Sequence, residues 1–427
     1  MTAITVAEPS GTVPASPPAP PPDALDPEPV KAPRLTLPAF IYAHFAHHMG
    51  IGALSPLLPL IRNAFGLDYA QSGLLLSAQG LALGFGQLPI SALADRMSKR
   101  LMIAVGLIGV GLTSIAIYLS TSFWQLIPIL IASGLLAATY HAPASSFLAG
   151  TYSSVSRGRA LGTHVIGGSL AFVAAPAIAV GVARLTGNWR DAFLIVSIFP
   201  LLAGAMMLYL MWREPERVQA GATQQREQVN ALRALRAIGP LVAVALAEQL
   251  LTASMFAFMP LFIADRHQVP ADLAGLSIIL ITGIGIIAAP LGGALSDRIG
   301  RAPVLVFATA SVGPLILAFT YVPSGGLILL AIVLLLFGLS MNVRMPVLES
   351  LFADAVPAHR RSTVLGLYYF IGQETSGVTT PLVGRLMDVV GPVQAFTFLG
   401  VLGTALSLLL VFFRQSLTRP RTTASQP

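Results

Sequence analysis

The chain has 427 residues, of which 55% are hydrophobic, only 10% are charged and none is cysteine. A soluble globular protein carries about 25% charged residues, so this composition cannot cover a fold of this length with a water-facing surface, and the chain belongs in a bilayer. Disulfides, thiolate metal sites and thiol catalysis are excluded with the cysteines, and a nucleic-acid face is excluded because the arginines behind the +7 net charge are scattered over many breaks and form no stripe.

Residues 1–33 hold ten prolines, five of them Pro17, Pro18, Pro20, Pro21 and Pro22, and almost no large apolar side chain. Such a segment cannot bury enough surface to offset its ordering entropy, so 1–34 is read as a disordered tail. Beyond it, apolar runs measured against the roughly 20 residues that cross about 30 Å of hydrocarbon predict twelve spans. They cover 35–61, 70–93, 101–121, 124–150, 161–184, 191–212, 237–263, 271–294, 302–321, 326–353, 363–386 and 392–413. The first is too long and too poor in early basic residues for a cleaved signal and is read as retained. A polar stretch, 213–236, carries five arginines and separates two halves, 35–212 and 237–413, with 414–427 as a second tail.

With the N-terminus inside, nineteen of the 25 basic residues fall on the inner side, five (Arg62, Arg184, Arg190, Arg266 and Arg385) on the outer side, and Arg344 inside a span. Basic residues are retained on the cytoplasmic side. Both termini are therefore read as cytoplasmic, in a multi-pass protein of the inner membrane.

The halves repeat. Asp95-Arg96, between spans two and three, recurs 202 residues later as Asp297-Arg298, between spans eight and nine. Arg157 with Leu161-Gly162 recurs as Arg361 with Leu365-Gly366, and Gly167 with Pro176 as Gly372 with Pro381. Independent matches at nearly one offset indicate a duplicated six-helix unit, the internal symmetry of secondary transporters.

At these residues the sequence resembles the major facilitator superfamily over all twelve spans. The loop signature Gly-x-x-x-Asp-Arg-x-Gly-Arg is complete at Gly293, Asp297, Arg298, Gly300 and Arg301, and partial at Asp95, Arg96 and Lys99, where Ser91 and Ser98 replace the glycines. The resemblance implies an all-α membrane fold of two six-helix bundles related by a pseudo-two-fold axis, working as a monomer. A carboxylate just past the end of a span can bond the free amides or guanidinium groups of a neighbouring helix end and latch the cytoplasmic side. Asp95 and Asp297, with their following cations, are expected to form that latch, which favours the outward-open state.

Span five carries a degraded form of the superfamily's antiporter ladder, with Gly162, Ala171, Ala175 and Pro176 in place and Ala179 and Val180 where the closing glycines stand. Span four contains no arginine, so the usual proton relay of exporters has no counterpart there.

Polar groups inside a span cost about 2.5 kcal/mol or more at the helix centre and persist where they pair or line water. Span one offers His44, His47 and His48, span four His141, span five His164, span seven Glu248, span ten Arg344 and Glu349, and span eleven Glu374. Three histidines within five positions cannot all face one cavity; His44 and His48, four apart, share a helix face. The repeat offset places Glu248 opposite His44. Spans one, four, seven and ten line the central cavity in the superfamily, so the resemblance implies that His44, His48, His141, Glu248 and Arg344 contact the solute. Glu248 and Glu374 lie near mid-depth and are the proton-coupling candidates, and Glu349 is a gate or helix-end group.

Ala43-His44-Phe45, the stretch Tyr140 to Ser146 and Ile166-Gly167-Gly168 resemble the fosmidomycin-resistance type of drug exporter. The expected function is alternating-access transport of a small organic solute, by proton-coupled efflux of a drug-like or amphipathic compound, with proton-coupled import of an organic acid as the alternative and a transporter-like receptor as a remote one. No motif of a hydrolase, metalloprotease or nucleotide-binding pump is present. The expected partners are solute, protons and lipid, with no cofactor, no metal and no nucleic acid.

Overall fold

The computed structural model describes residues 34–93, 97–152, 154–213, 239–354 and 361–412, and among them it is helical with no strand. A chain surrounded by hydrocarbon must satisfy its backbone N–H and C=O groups within each segment, and that demand explains the architecture. In chain order the helices are α1 (Thr36–Gly52), α2 (Leu54–Phe65), α3 (Tyr69–Leu93), α4 (Lys99–Leu119), α5 (Phe123–Ala137), α6 (His141–Thr151), α7 (Ser154–Thr186) and α8 (Trp189–Arg213) in the first half. The second half has α9 (Gly239–His267), the short α10 (Ala271–Ala274), α11 (Ser277–Ile299), α12 (Arg301–Tyr321), α13 (Leu327–Asp354), α14 (Arg361–Val390) and α15 (Pro392–Phe412).

Each predicted span corresponds to one helix or a consecutive pair. Among the described residues seven segments are long and apolar enough to cross a membrane by length and composition, and they correspond to spans three to six and eight to ten. Span one is interrupted at Ala53, the described side chains of span twelve give the apolar run Pro392–Leu408, and α3 and α14 are diluted by polar residues such as Gln79 and Gln373. The expected tails and most of the expected linker lie outside the described residues.

The pairings of helices repeat six spans apart. α1 packs on α7, α3 on α5 and α4 on α8; correspondingly α9 packs on α14, α11 on α13 and α12 on α15. Between the halves α3 lies along α14 and α7 against α11, which are again equivalent pairs. This is the two-bundle, pseudo-two-fold arrangement.

Glycine makes the repeated contacts possible. A Cβ on Gly134 of α5 would collide with the Gln79 carbonyl of α3, and one on Gly338, its repeat mate, would sit 2.7 Å from Ile281 Cα in α11. Backbones approach this closely only where no side chain intervenes. Large apolar side chains fill the rest, including Leu57, Leu58, Phe193, Phe258, Phe262 and Phe319, all essentially inaccessible.

The two ends of the molecule differ. At the end away from the Asp297 turn, Arg62 donates to both oxygens of Asp265 at 2.5 and 2.6 Å, and the Tyr69 hydroxyl donates to Asp265 at 2.6 Å. There Asp388 of α14 accepts from the backbone N–H groups of Tyr69 and Ala70 at 2.8 and 2.9 Å, capping α3, and Arg184 donates to Asp272 at 2.7 Å. At the Asp297 end no hydrogen bond or ion pair between described residues joins the halves, and Asp297 and Arg298 are exposed. Among the described residues, side-chain hydrogen bonds and ion pairs therefore join the halves at the first end.

Candidate functional site

Span four is broken where it meets span one. After α5 the chain tightens through i→i−3 bonds, Thr139 N–H to Leu136 and Tyr140 N–H to Ala137, both 3.2 Å, and α6 restarts at His141. Such tightening marks a discontinuity in the ladder, and here it delivers the His141 ring to the histidines of α1.

The structure brings His44, His48 and His141 together: ring centroids are 5.0 Å apart for His44 and His48, 5.5 Å for His44 and His141, and 5.4 Å for His48 and His141. His47 joins them, at 4.9 Å from His48 and 4.8 Å from His141. His44, His47 and His48, at i, i+3 and i+4, lie along one side of α1, and His141 packs against all three. His47 is buried, and its Nε2 has no hydrogen-bond partner.

Two further members were not among the expected site residues. His164 of α7 stacks on His44 with centroids 4.3 Å apart, and its carbonyl lies 3.1 Å from His44 Nδ1. A carbonyl only accepts, so Nδ1 carries the proton and His44 Nε2 holds the free lone pair. The Tyr140 hydroxyl donates to the Phe40 carbonyl at 3.1 Å and lies 2.9 Å from His164 Nε2. The available signal was the adjacency of Tyr140 to His141 and of His164 to the small residues Gly167 and Gly168, whose lack of side chains brings α7 onto α1. A Cβ on Gly168 would lie 2.8 Å from both Cε1 and Nε2 of His44.

The second half contributes Arg344, 1% exposed in the middle of α13. In α14 both carboxylate oxygens of Glu374 are buried without a hydrogen-bond partner. Glu374 is 13 residues past Arg361, about 20 Å along the helix at 1.5 Å per residue, which is mid-depth. Glu248 and Glu349 fall within α9 and α13, but their side chains lie outside the described residues. No ring contact or hydrogen bond between described residues joins Arg344 or Glu374 to the histidines.

Asp95 and Arg96 also lie outside the described residues. Asp297, expected just past a span, instead lies inside α11, because the helix continues through Asp297 and Arg298 to Ile299. It ends at Gly300, whose φ of +95° with ψ of 149° suits glycine alone. Ser98, at the equivalent place in the first half, has an ordinary φ of −59° and caps α4 by accepting from Leu101 N–H at 3.2 Å. The glycine of one copy and the serine of the other are thus two ways to turn the same corner. Arg301 donates to the Ser350 carbonyl in its own half at 3.2 Å.

The residue-family model of the Major Facilitator Superfamily matches positions 40–378. The chain belongs to this superfamily. Its members are membrane transporters of small molecules and not enzymes. One relative, the uncharacterized MFS-type transporter YwfA of Bacillus subtilis (strain 168), is 23% identical over 359 residues, covering 83% of this chain and 85% of that protein. Multidrug resistance protein MdtG of Escherichia coli is 24% identical over 345 residues, covering 78% of this chain and 83% of that protein. Among solved structures, a peptide transporter POT shares the fold with a TM-score of 0.76 at 13% identity, over 90% of this chain and 95% of that one. A bacterial homolog to the human lysosomal transporter Spinster, in an inward-facing conformation, gives 0.69 at 18% identity over the same shares.

Proposed function

We propose that this superfamily member exports a small drug-like or amphipathic solute in exchange for protons, by alternating access, from an inner membrane with both termini cytoplasmic. The Asp297 end is then the cytoplasmic one, by the excess of basic residues there, and the end joined by Arg62 and Asp265 faces outward. The relative named for multidrug resistance supports efflux.

The observation that carries proton coupling is Glu374. A carboxylate with both oxygens buried and unpartnered at mid-depth is costly when charged, so it holds a proton in this state and releases it when the helices rock and bring water or a cation to it. Arg344 and Glu248 contact the solute from the second half, the histidine group from the first. Asp297 and Arg298, with Asp95 and Arg96, close the cytoplasmic end when the outer end opens.

The test is a thermal-shift screen of purified protein over drugs, organic acids and peptides, followed by flux of the best ligand in proteoliposomes with an imposed pH gradient. Export driven by outside protons supports the reading. Accumulation in the same direction as the proton flow replaces it with import by symport.

A further inference from the structure

We propose that His44, His48 and His141 form a binding site for a divalent transition-metal ion of the zinc, cobalt and nickel class. The inference takes the place of the site from the reading above but does not depend on export or proton coupling: it concerns what the histidines hold.

Each of the three offers a ring nitrogen, and these nitrogens lie within 4.8 Å of one another. Tetrahedral ligation with metal–nitrogen bonds of about 2.0–2.1 Å places ligand nitrogens about 3.3 Å apart. The rings therefore close by at most about 1.5 Å, within reach of small torsional adjustment of a histidine side chain. The ligands come from two elements, α1 and the first residue of α6, and the break in span four lets the second approach the first.

The outer shell is already built. His44 Nδ1–H is held by the His164 carbonyl at 3.1 Å, which fixes the tautomer that leaves Nε2 as the donor to a metal. Metal-ligating histidines ordinarily have their second nitrogen held in this way. Gly168 keeps the space beside that Nε2 free, since a Cβ there would approach it to 2.8 Å. The adjacent His47 has a buried Nε2 with no hydrogen-bond partner, a cost that a nearby ion and its bound water would relieve.

The donor set decides the class. Neutral imidazoles suit zinc, cobalt, nickel and copper(II), whereas calcium and magnesium demand oxygen ligands. Three protein ligands leave a fourth position open, the arrangement of exchangeable sites. Because the ligands are neutral, the ion's double charge is not compensated within the trio, which favours an exchangeable ion over a permanent one. His48 and His141 are only partly covered, so the site is reachable.

The experiment uses full-length protein without a histidine tag, stripped with chelator and held in nanodiscs. Cobalt(II) should bind saturably at one equivalent with the visible bands of a four-coordinate nitrogen site, and zinc should raise the melting temperature while magnesium does not. His48→Asn and His141→Asn should each weaken cobalt binding by about tenfold or more, at least the 10–100-fold that loss of an outer-shell partner costs. His267→Asn, at the end away from Asp297, should bind as the wild type does. Should the site variants fail to fold, histidine modification of the wild type decides: zinc should protect His44, His48 and His141, and magnesium should not. Absence of saturable binding, equal stabilisation by magnesium, unchanged affinity in both folded variants, or no selective protection would each overturn the site.

Discussion

Arg62 and Asp265 form a two-point ion pair, at 2.5 and 2.6 Å, between the end of the first span and the end of the seventh. The same carboxylate accepts from Tyr69 at the start of the second span, so one acidic group gathers three helix ends. Arg62 and Asp265 keep 17% and 34% of their side-chain surface exposed, and solvent screening therefore holds the pair well below a fully buried one. A forked, charge-assisted bond to a half-buried partner contributes about 1–2 kcal/mol. In alternating access that energy belongs to one state only.

Asp265→Asn should therefore shift the population toward opening of this end by about tenfold, the equivalent of about 1.4 kcal/mol. Because the chain has no cysteine, spin labels at Leu185→Cys and Ser324→Cys report the separation of the halves without background. An unchanged distance distribution in the variant would mean that the packing of α3 on α14 alone holds the end shut.

Asp297→Asn addresses the opposite end. The carboxylate is exposed, so its removal costs this state nothing, and any effect comes from a state in which that end closes. Folding and insertion should stay intact while transport falls several-fold. Transport by the purified variant at the wild-type rate would reduce the motif to a topological anchor.

The corner after α11 makes a separate claim on stability. Gly300 holds φ at +95°, a conformation that costs a residue with a side chain about 1–3 kcal/mol, so Gly300→Ala should lower the melting temperature measurably. Ser98→Gly at the equivalent corner removes a cap and should cost only a few tenths of a kcal/mol. Equal losses in the two variants would contradict the view that the two copies turn by different means.

The twelve spans were legible because hydrocarbon imposes its own length and its own backbone rule, and the duplication was legible because Asp95 and Asp297, or Gly167 and Gly372, sit at nearly one offset. The meeting of His44, His48 and His141 followed from the superfamily's helix arrangement. What could not be read was contact between faces. That His164 stacks on His44 depends on how closely α7 settles on α1, which Gly167 and Gly168 permit but do not announce. The Arg62 and Asp265 pair belongs to no motif, and hydropathy is blind to which outer acid meets which outer base. The position of Asp297 inside a helix was hidden because polar residues at a span's end look the same whether the helix continues through them or stops before them.

The decisive prediction concerns Glu374. Its oxygens are buried and without a hydrogen-bond partner at a depth where a bare charge is expensive, so the neutral acid is the form this state accommodates. Glu374→Gln keeps the shape and neutrality of that form while removing the exchangeable proton. Binding and solute exchange across liposome membranes should survive, whereas accumulation driven by a pH gradient, and the proton movement that accompanies solute, should be lost. Arg344→Ala should behave in the opposite way, weakening solute binding itself, because it removes the guanidinium buried in α13. If Glu374→Gln still accumulates solute against its gradient at the wild-type level, the coupling proton rides elsewhere, with Glu248 the next group to replace.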